Sequence, residues 1–211
     1  MDAVVKKLLR EAGHTYAEDA GIPLKDQPSA LFKLLVLANL LSARISSEIA
    51  VAAARELFEA GGGTARGLDR MSWQDRVDAL GRGHYVRYDE STSTRLGDTA
   101  ELVQDKYHGD LRRLARDSER VPDRAAELLR EFPGIGPTGV DIFCREAQAV
   151  WPWLRPYFDD QALKGAERLG LPTDPKRLAE QVPDKDLARL AAALVRVARD
   201  KKLADAVKNG K

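Results

Sequence analysis

The sequence predicts an all-α fold, and three observations carry that prediction. Apolar residues recur at helical spacing almost everywhere. No β-rich run of useful length interrupts them. Glycine, proline and capping residues fall where helices should start and stop. No repeat of fixed period is evident, so the expectation is roughly ten helices joined by short loops.

Taken in order, Val4, Val5, Leu8 and Leu9 mark a first helix, ended by Gly13. The linker GIPLKDQPS (21–29) leads to a second helix over about 30–42, apolar nearly all round and therefore central to the core. Ser46 and Ser47 can cap the next helix, which stops at the three glycines of 61–63. Leu68 to Leu80 reads as one short helix, and Ser91 to Tyr107 as a longer one despite Gly97. VPDRAAELLREF (121–132) carries Pro122 and Asp123 in its first turn. GVDIFCREAQAV continues as helix to WPW (151–153), and the loop RPYFDD precedes the helix QALKGAERLGL. DPKRLAEQV and DKDLARLAAALVRVARDKKLADAV complete the chain.

At 211 residues and 44% apolar content, the chain can bury a core as one domain or two small lobes. Charged residues make up 32%, yet the net charge is only +1. That excludes a histone-like polycation, while nucleic-acid binding needs only a local basic face. A single cysteine, Cys144, excludes an intrachain disulfide and any four-cysteine metal or iron–sulfur site. His14, His84 and His108 lie too far apart to suggest a zinc site, so no metal ligands are assigned. The N-terminus lacks the pattern of a signal peptide, and LFKLLVLANLL is too short to cross a bilayer. A soluble, cytoplasmic, monomeric protein is expected.

The stretch FPGIGPTG (132–139) stands out. Gly134 and Gly136 permit unusual backbone angles and close approach of another group, Ile135 can anchor the turn in the core, and Pro137 suits the first turn of the next helix. A helix, a turn with exposed N–H groups and a second helix with its positive end outward make an anion site. A DNA phosphate is one natural candidate. The plain alternative is a helix–helix connector.

LLREFPGIGPTGVDIF resembles the helix-hairpin-helix of the DNA glycosylase superfamily that includes endonuclease III, with Leu129, Phe132, Pro133, Gly134, Ile135 and Gly136 supplying the motif in order. LFKLLVLANLLSARIS (31–46) resembles the family's early core helix, ending here in Leu40, Leu41, Ser42, Ala43 and Arg44. GHYVRYDESTSTRL is a looser match to another family loop. The similarity spans about residues 28 to 165. It implies a two-lobed helix-hairpin-helix glycosylase fold: residues 28–138 as one lobe, and 1–27 with 139–211 as a second, without an iron–sulfur cluster.

The resemblance also implies roles. Gly134, Ile135, Gly136, Thr138 and Gly139 would meet a phosphate of double-stranded DNA, with a monovalent cation (Na or K) possible at the hairpin and no other cofactor. Arg44 would enter the duplex where a damaged or mismatched base has left, and Lys164 would touch phosphate; Arg87, Arg95 and Arg145 are further basic candidates. An aspartate after the hairpin would stabilise the sugar cation. In PYFDDQALKGAERL that is Asp159, favoured by the alignment, or Asp160, since some alkyl-base relatives use the second member of such a pair. The plain alternative for Asp159 is an N-cap of the following helix. Tyr85, Tyr88, Trp151, Trp153 and Tyr157 could stack on an extruded base, or simply pack in the core. His84 could contact a base. Bifunctional relatives carry a lysine where this chain has Thr138. The expected activity is therefore a monofunctional DNA glycosylase without a lyase step. A lesion-sensing protein without catalysis, or a glycosylase/lyase using another lysine, are the alternatives.

Overall fold

The computed structural model describes residues 2–209. It is all-α, with no strand among the described residues, and divides into two compact units. One runs from Ala17 to Phe143; the other comprises the chain up to Tyr16 and from Cys144 onward.

The Ala17–Phe143 unit is organised on α3 (Pro28–Leu41), whose residues from Ala30 to Leu41 are buried except Lys33. Pro28 opens this helix, where its missing N–H costs nothing. Ser46 caps α4 (Ser47–Leu57) by accepting from the Ile49 N–H, and the chain then widens to Gly61, at φ +103. Instead of one helix over 68–80, the chain forms α5 (Ala65–Arg70) and α6 (Trp73–Arg82). The break comes from a reciprocal cap at Ser72: its hydroxyl accepts from the Asp75 N–H while the Asp75 carboxylate accepts from the Ser72 N–H. α7 (Asp89–Tyr107) runs straight through Gly97, where a Cβ would lie 2.8 Å from the Arg76 guanidinium. That buried guanidinium donates to the carbonyls of Ser93, Leu68 and Met71. Two elements the periodicity does not reveal are α2 (Tyr16–Asp19) and α8 (Arg112–Asp117), both too short for a full amphipathic pattern. α9 (Pro122–Leu129) precedes the FPGIGPTG turn, and α10 (Pro137–Ala147) follows it.

The other unit packs α1 (Ala3–Ala12), α11 (Asp160–Leu169), α13 (Leu187–Arg199) and α14 (Lys201–Asn209) around Leu8, Ala166, Leu190 and Leu194. α12 (Pro175–Ala179) adds Leu178 to this core. α11 and α13 touch backbone to backbone at Gly165, where a Cβ would lie 2.0 Å from the Leu194 carbonyl oxygen. The C-terminal run is two helices rather than one. Asp200 leaves helical geometry and its carboxylate accepts from the N–H groups of Lys202 and Leu203, starting α14. Cys144 is buried, as a small apolar thiol usually is.

Candidate nucleic-acid interface and carboxylate pair

The turn over 132–139 is held from below by its own apolar residues. Phe132 and Ile135 are buried, the Ile135 N–H donates to the Phe132 carbonyl, and the Phe132 ring lies 5.9 Å from that of Tyr107. Asn39, buried in the last turn of apolar α3, donates its amide to the Pro133 carbonyl at 2.7 Å. Gly134 sits at φ +82 directly against that amide, and a Cβ there would be 2.7 Å from Asn39 Nδ2. Gly139 lets the first turn of α10 close on the end of α3, where a Cβ would meet Ser42 Oγ at 2.9 Å. Above Gly136 there is open space.

The backbone bookkeeping leaves donors over. Val140 N–H donates to the Gly136 carbonyl, but the N–H groups of Gly134, Gly136, Thr138 and Gly139 have no acceptor among the described residues. Free N–H groups at the start of an eleven-residue helix favour an anion through both hydrogen bonding and the helix dipole. Two arginines of the same unit add positive charge. Arg95 lies alongside Gly134, its guanidinium donating to the Ser91 carbonyl and hydroxyl and to Thr92 Oγ1. Arg44 is exposed in the loop after α3, two residues beyond Ser42.

The loop before α7 separates its aromatics. Tyr85 is fully buried and bonded to Thr92, and burial pushes its hydroxyl pKa up; its ring presents no face to a base. Tyr88 is half-buried with the Arg87 guanidinium 5.2 Å from its ring centre, while His84 is exposed at φ +65. An open cavity of about 590 Å³ in this unit is lined by Gln27, Ser29, Thr64, Arg66, Gln104 and His108, and contains none of the residues singled out above.

In the other unit, Trp151 is buried and stacks on half-exposed Trp153, with ring centres 5.2 Å apart. Tyr157 is half-buried; its N–H donates to Gln148 Oε1 at 3.0 Å and its carbonyl accepts from Gln148 Nε2 at 2.9 Å. Buried Gln148 also donates to the Arg145 carbonyl, so one side chain straps the 151–158 loop to the end of α10. No sequence signal marks Gln148 for that task.

The two aspartates take different places. Asp159 is the N-cap of α11, its Oδ1 accepting from the Ala162 N–H at 2.9 Å. Its Oδ2 forms an ion pair with the Arg145 guanidinium, and both side chains are almost fully buried, at 2% and 4% exposure. Arg145, one of the basic candidates for phosphate, is therefore neither that nor part of a solvated face: it is a core residue, and its Nε is buried without an acceptor. Asp160, the first residue of α11, is exposed. Lys164 is also exposed, one turn further along the same helix. No group of three or more His, Cys, Asp or Glu among the described residues could hold a metal ion. None of their helices is long and apolar enough to cross a membrane.

The fold is the all-α fold of endonuclease III. The chain aligns with a non-covalent endonuclease III–DNA complex at a TM-score of 0.54, with 16% identity, over 90% of this chain and 80% of that one. It also aligns with a trapped endonuclease III–DNA covalent intermediate, the estranged-adenine complex, at a TM-score of 0.49 and 17% identity, over 90% of this chain and 84% of that one. No protein-family model and no curated protein matches the sequence.

Proposed function

We propose that this protein is a DNA glycosylase of base-excision repair, acting on a damaged or mismatched base turned out of duplex DNA. The observation that carries the proposal is the 132–139 hairpin. Its backbone donors are left unpaired at the start of α10, its shape is set by Asn39, Arg95 lies against Gly134, and exposed Arg44 follows two residues after Ser42, which meets Gly139. Such a turn holds a phosphate and carries no sequence information, which suits an enzyme that reads a lesion rather than a site. The fold of a DNA-bound endonuclease III supports the same reading.

The chemistry needs little beyond position and charge. As the C1′–N bond breaks, its electron pair leaves on the base nitrogen, which takes up a proton. The sugar becomes cationic, and a carboxylate of the Asp159–Asp160 pair stabilises it. Water adds its oxygen to C1′ and releases a proton, so base and abasic sugar are the products and no other reactant is consumed. Thr138 stands two residues after the second hairpin glycine, Gly136, and cannot form an imine with C1′, so the reaction stops at base release. A sodium or potassium ion at the hairpin would be held by the carbonyl oxygens of Gly134 and Ile135. These accept no hydrogen bond among the described residues, and neutral oxygen donors suit such hard ions. The ion would add positive charge where phosphate binds.

One observation favours a second reading, a duplex-binding protein without catalysis: the Asp159 carboxylate is already occupied. A panel of duplexes carrying deaminated, alkylated, oxidised or mismatched bases separates the two. Release of at least one base, with no borohydride-trapped adduct, is the expected result. Tight binding with no release from any duplex would establish the non-catalytic reading, and a trapped adduct would overturn the monofunctional one.

A further inference from the structure

The structure assigns different tasks to the two neighbouring carboxylates. We propose that Arg145 is a positioning residue that, paired with Asp159, sets the first turn of α11, and that Asp160 is the carboxylate that faces the sugar cation. This rests on the glycosylase reading above and deepens it.

Both oxygens of Asp159 are committed, one to the Ala162 N–H and one to Arg145, and the side chain is 2% exposed. To reach a sugar it would have to abandon the cap and the ion pair together, leaving a buried guanidinium without its counter-ion. A carboxylate already neutralised by a guanidinium also has little field to offer a second cation. Asp160 has neither restriction. It is exposed, it accepts no hydrogen bond and joins no ion pair among the described residues, and it is the next residue along a backbone that Asp159 anchors.

The buried pair is itself poorly explained by stability. Buried ion pairs are weak stabilisers against apolar packing of the same volume, and this one leaves Arg145 Nε buried with no acceptor. The guanidinium carbon also lies 5.9 Å from the centre of the Tyr16 ring. The pair does fix direction: it ties the end of α10 to the N-cap of α11 through one rigid, charged contact. Fixed geometry at a helix start is what a carboxylate one residue later needs in order to meet a reacting atom.

The test uses the full chain and two duplexes. One carries a cationic pyrrolidine in place of a sugar, the other a neutral tetrahydrofuran at the same position. Wild type is expected to prefer the cationic duplex by at least about tenfold. Asp160→Asn should abolish the preference while leaving the melting temperature and the affinity for the neutral duplex unchanged. Asp159→Asn, which keeps an N-cap but breaks the ion pair, should lower the melting temperature and weaken the preference without abolishing it. Arg145→Lys should keep the preference and Arg145→Met should weaken it, with the neutral duplex bound as before; an unchanged preference in Arg145→Met would reduce Arg145 to a stability role and overturn its part. If Asp159→Asn does not fold, Asp160→Asn alone decides, since an exposed side chain is tolerant to this change. A preference that survives Asp160→Asn overturns the assignment. A wild type that shows no preference and releases no base removes the glycosylase reading, and this inference with it.

Discussion

Asn39 shows how one buried side chain can set the shape of a turn far away in sequence. An amide inside an apolar helix is expensive unless bonded, and this one is bonded to the Pro133 carbonyl. It thereby fixes the hairpin backbone at Pro133 and Gly134. Asn39→Ala would leave that carbonyl without its partner, at a cost of about 1–3 kcal/mol. Gly134→Ala would force a Cβ into φ +82 and against the same amide, at a cost of about 2 kcal/mol or more. Both variants should unfold at lower urea and bind duplex DNA more weakly than their stability loss explains. Full affinity in a folded Gly134→Ala would show that the turn is only a connector. Asn39 interrupts the apolar run visibly, so its oddity could be read from the sequence. Its partner could not, because Pro133 lies 94 positions away.

At the scale of elements, helix contacts decide which glycines matter. Gly165 sits within α11, where alanine would ordinarily be the better helix former. Against α13 the preference reverses, because a Cβ would strike the Leu194 carbonyl at 2.0 Å. Gly165→Ala is therefore expected to destabilise by about 1–3 kcal/mol through overpacking, read as a lower melting temperature. An unchanged melting temperature would mean that α11 and α13 can separate freely. The helices themselves followed from periodicity wherever they were long, as α3, α7 and α13 were. The division of 65–82 into α5 and α6 did not, since apolar spacing runs through Met71 and only the Ser72–Asp75 cap interrupts it. Capping residues were the better signal there.

For the molecule as a whole, near-neutrality makes local charge measurable. With a net charge of only +1, a DNA affinity cannot come from general attraction and must come from a few phosphate contacts. On the proposed reading, Arg44→Ala and Arg95→Ala should each reduce the slope of log affinity against log salt by about one. Both should leave melting temperature nearly unchanged, because Arg44 is exposed and the Arg95 bonds are local to α7. Unchanged slopes in both variants would place the duplex elsewhere on the surface. The sequence by itself determined that the chain is helical, that a specialised turn follows α9, and that a threonine rather than a lysine stands at position 138. These are local properties: periodicity, backbone freedom and residue chemistry act within a few positions of one another. Only the tertiary structure decided which side chains remain available. Tyr85 and Trp151 could stack on a base or pack in the core, Arg145 could meet phosphate and Asp159 could face a sugar or cap a helix; all four are buried, and Asp159 caps α11. Burial is a property of the packed chain, and it separates two adjacent aspartates that both stand as candidates in the sequence.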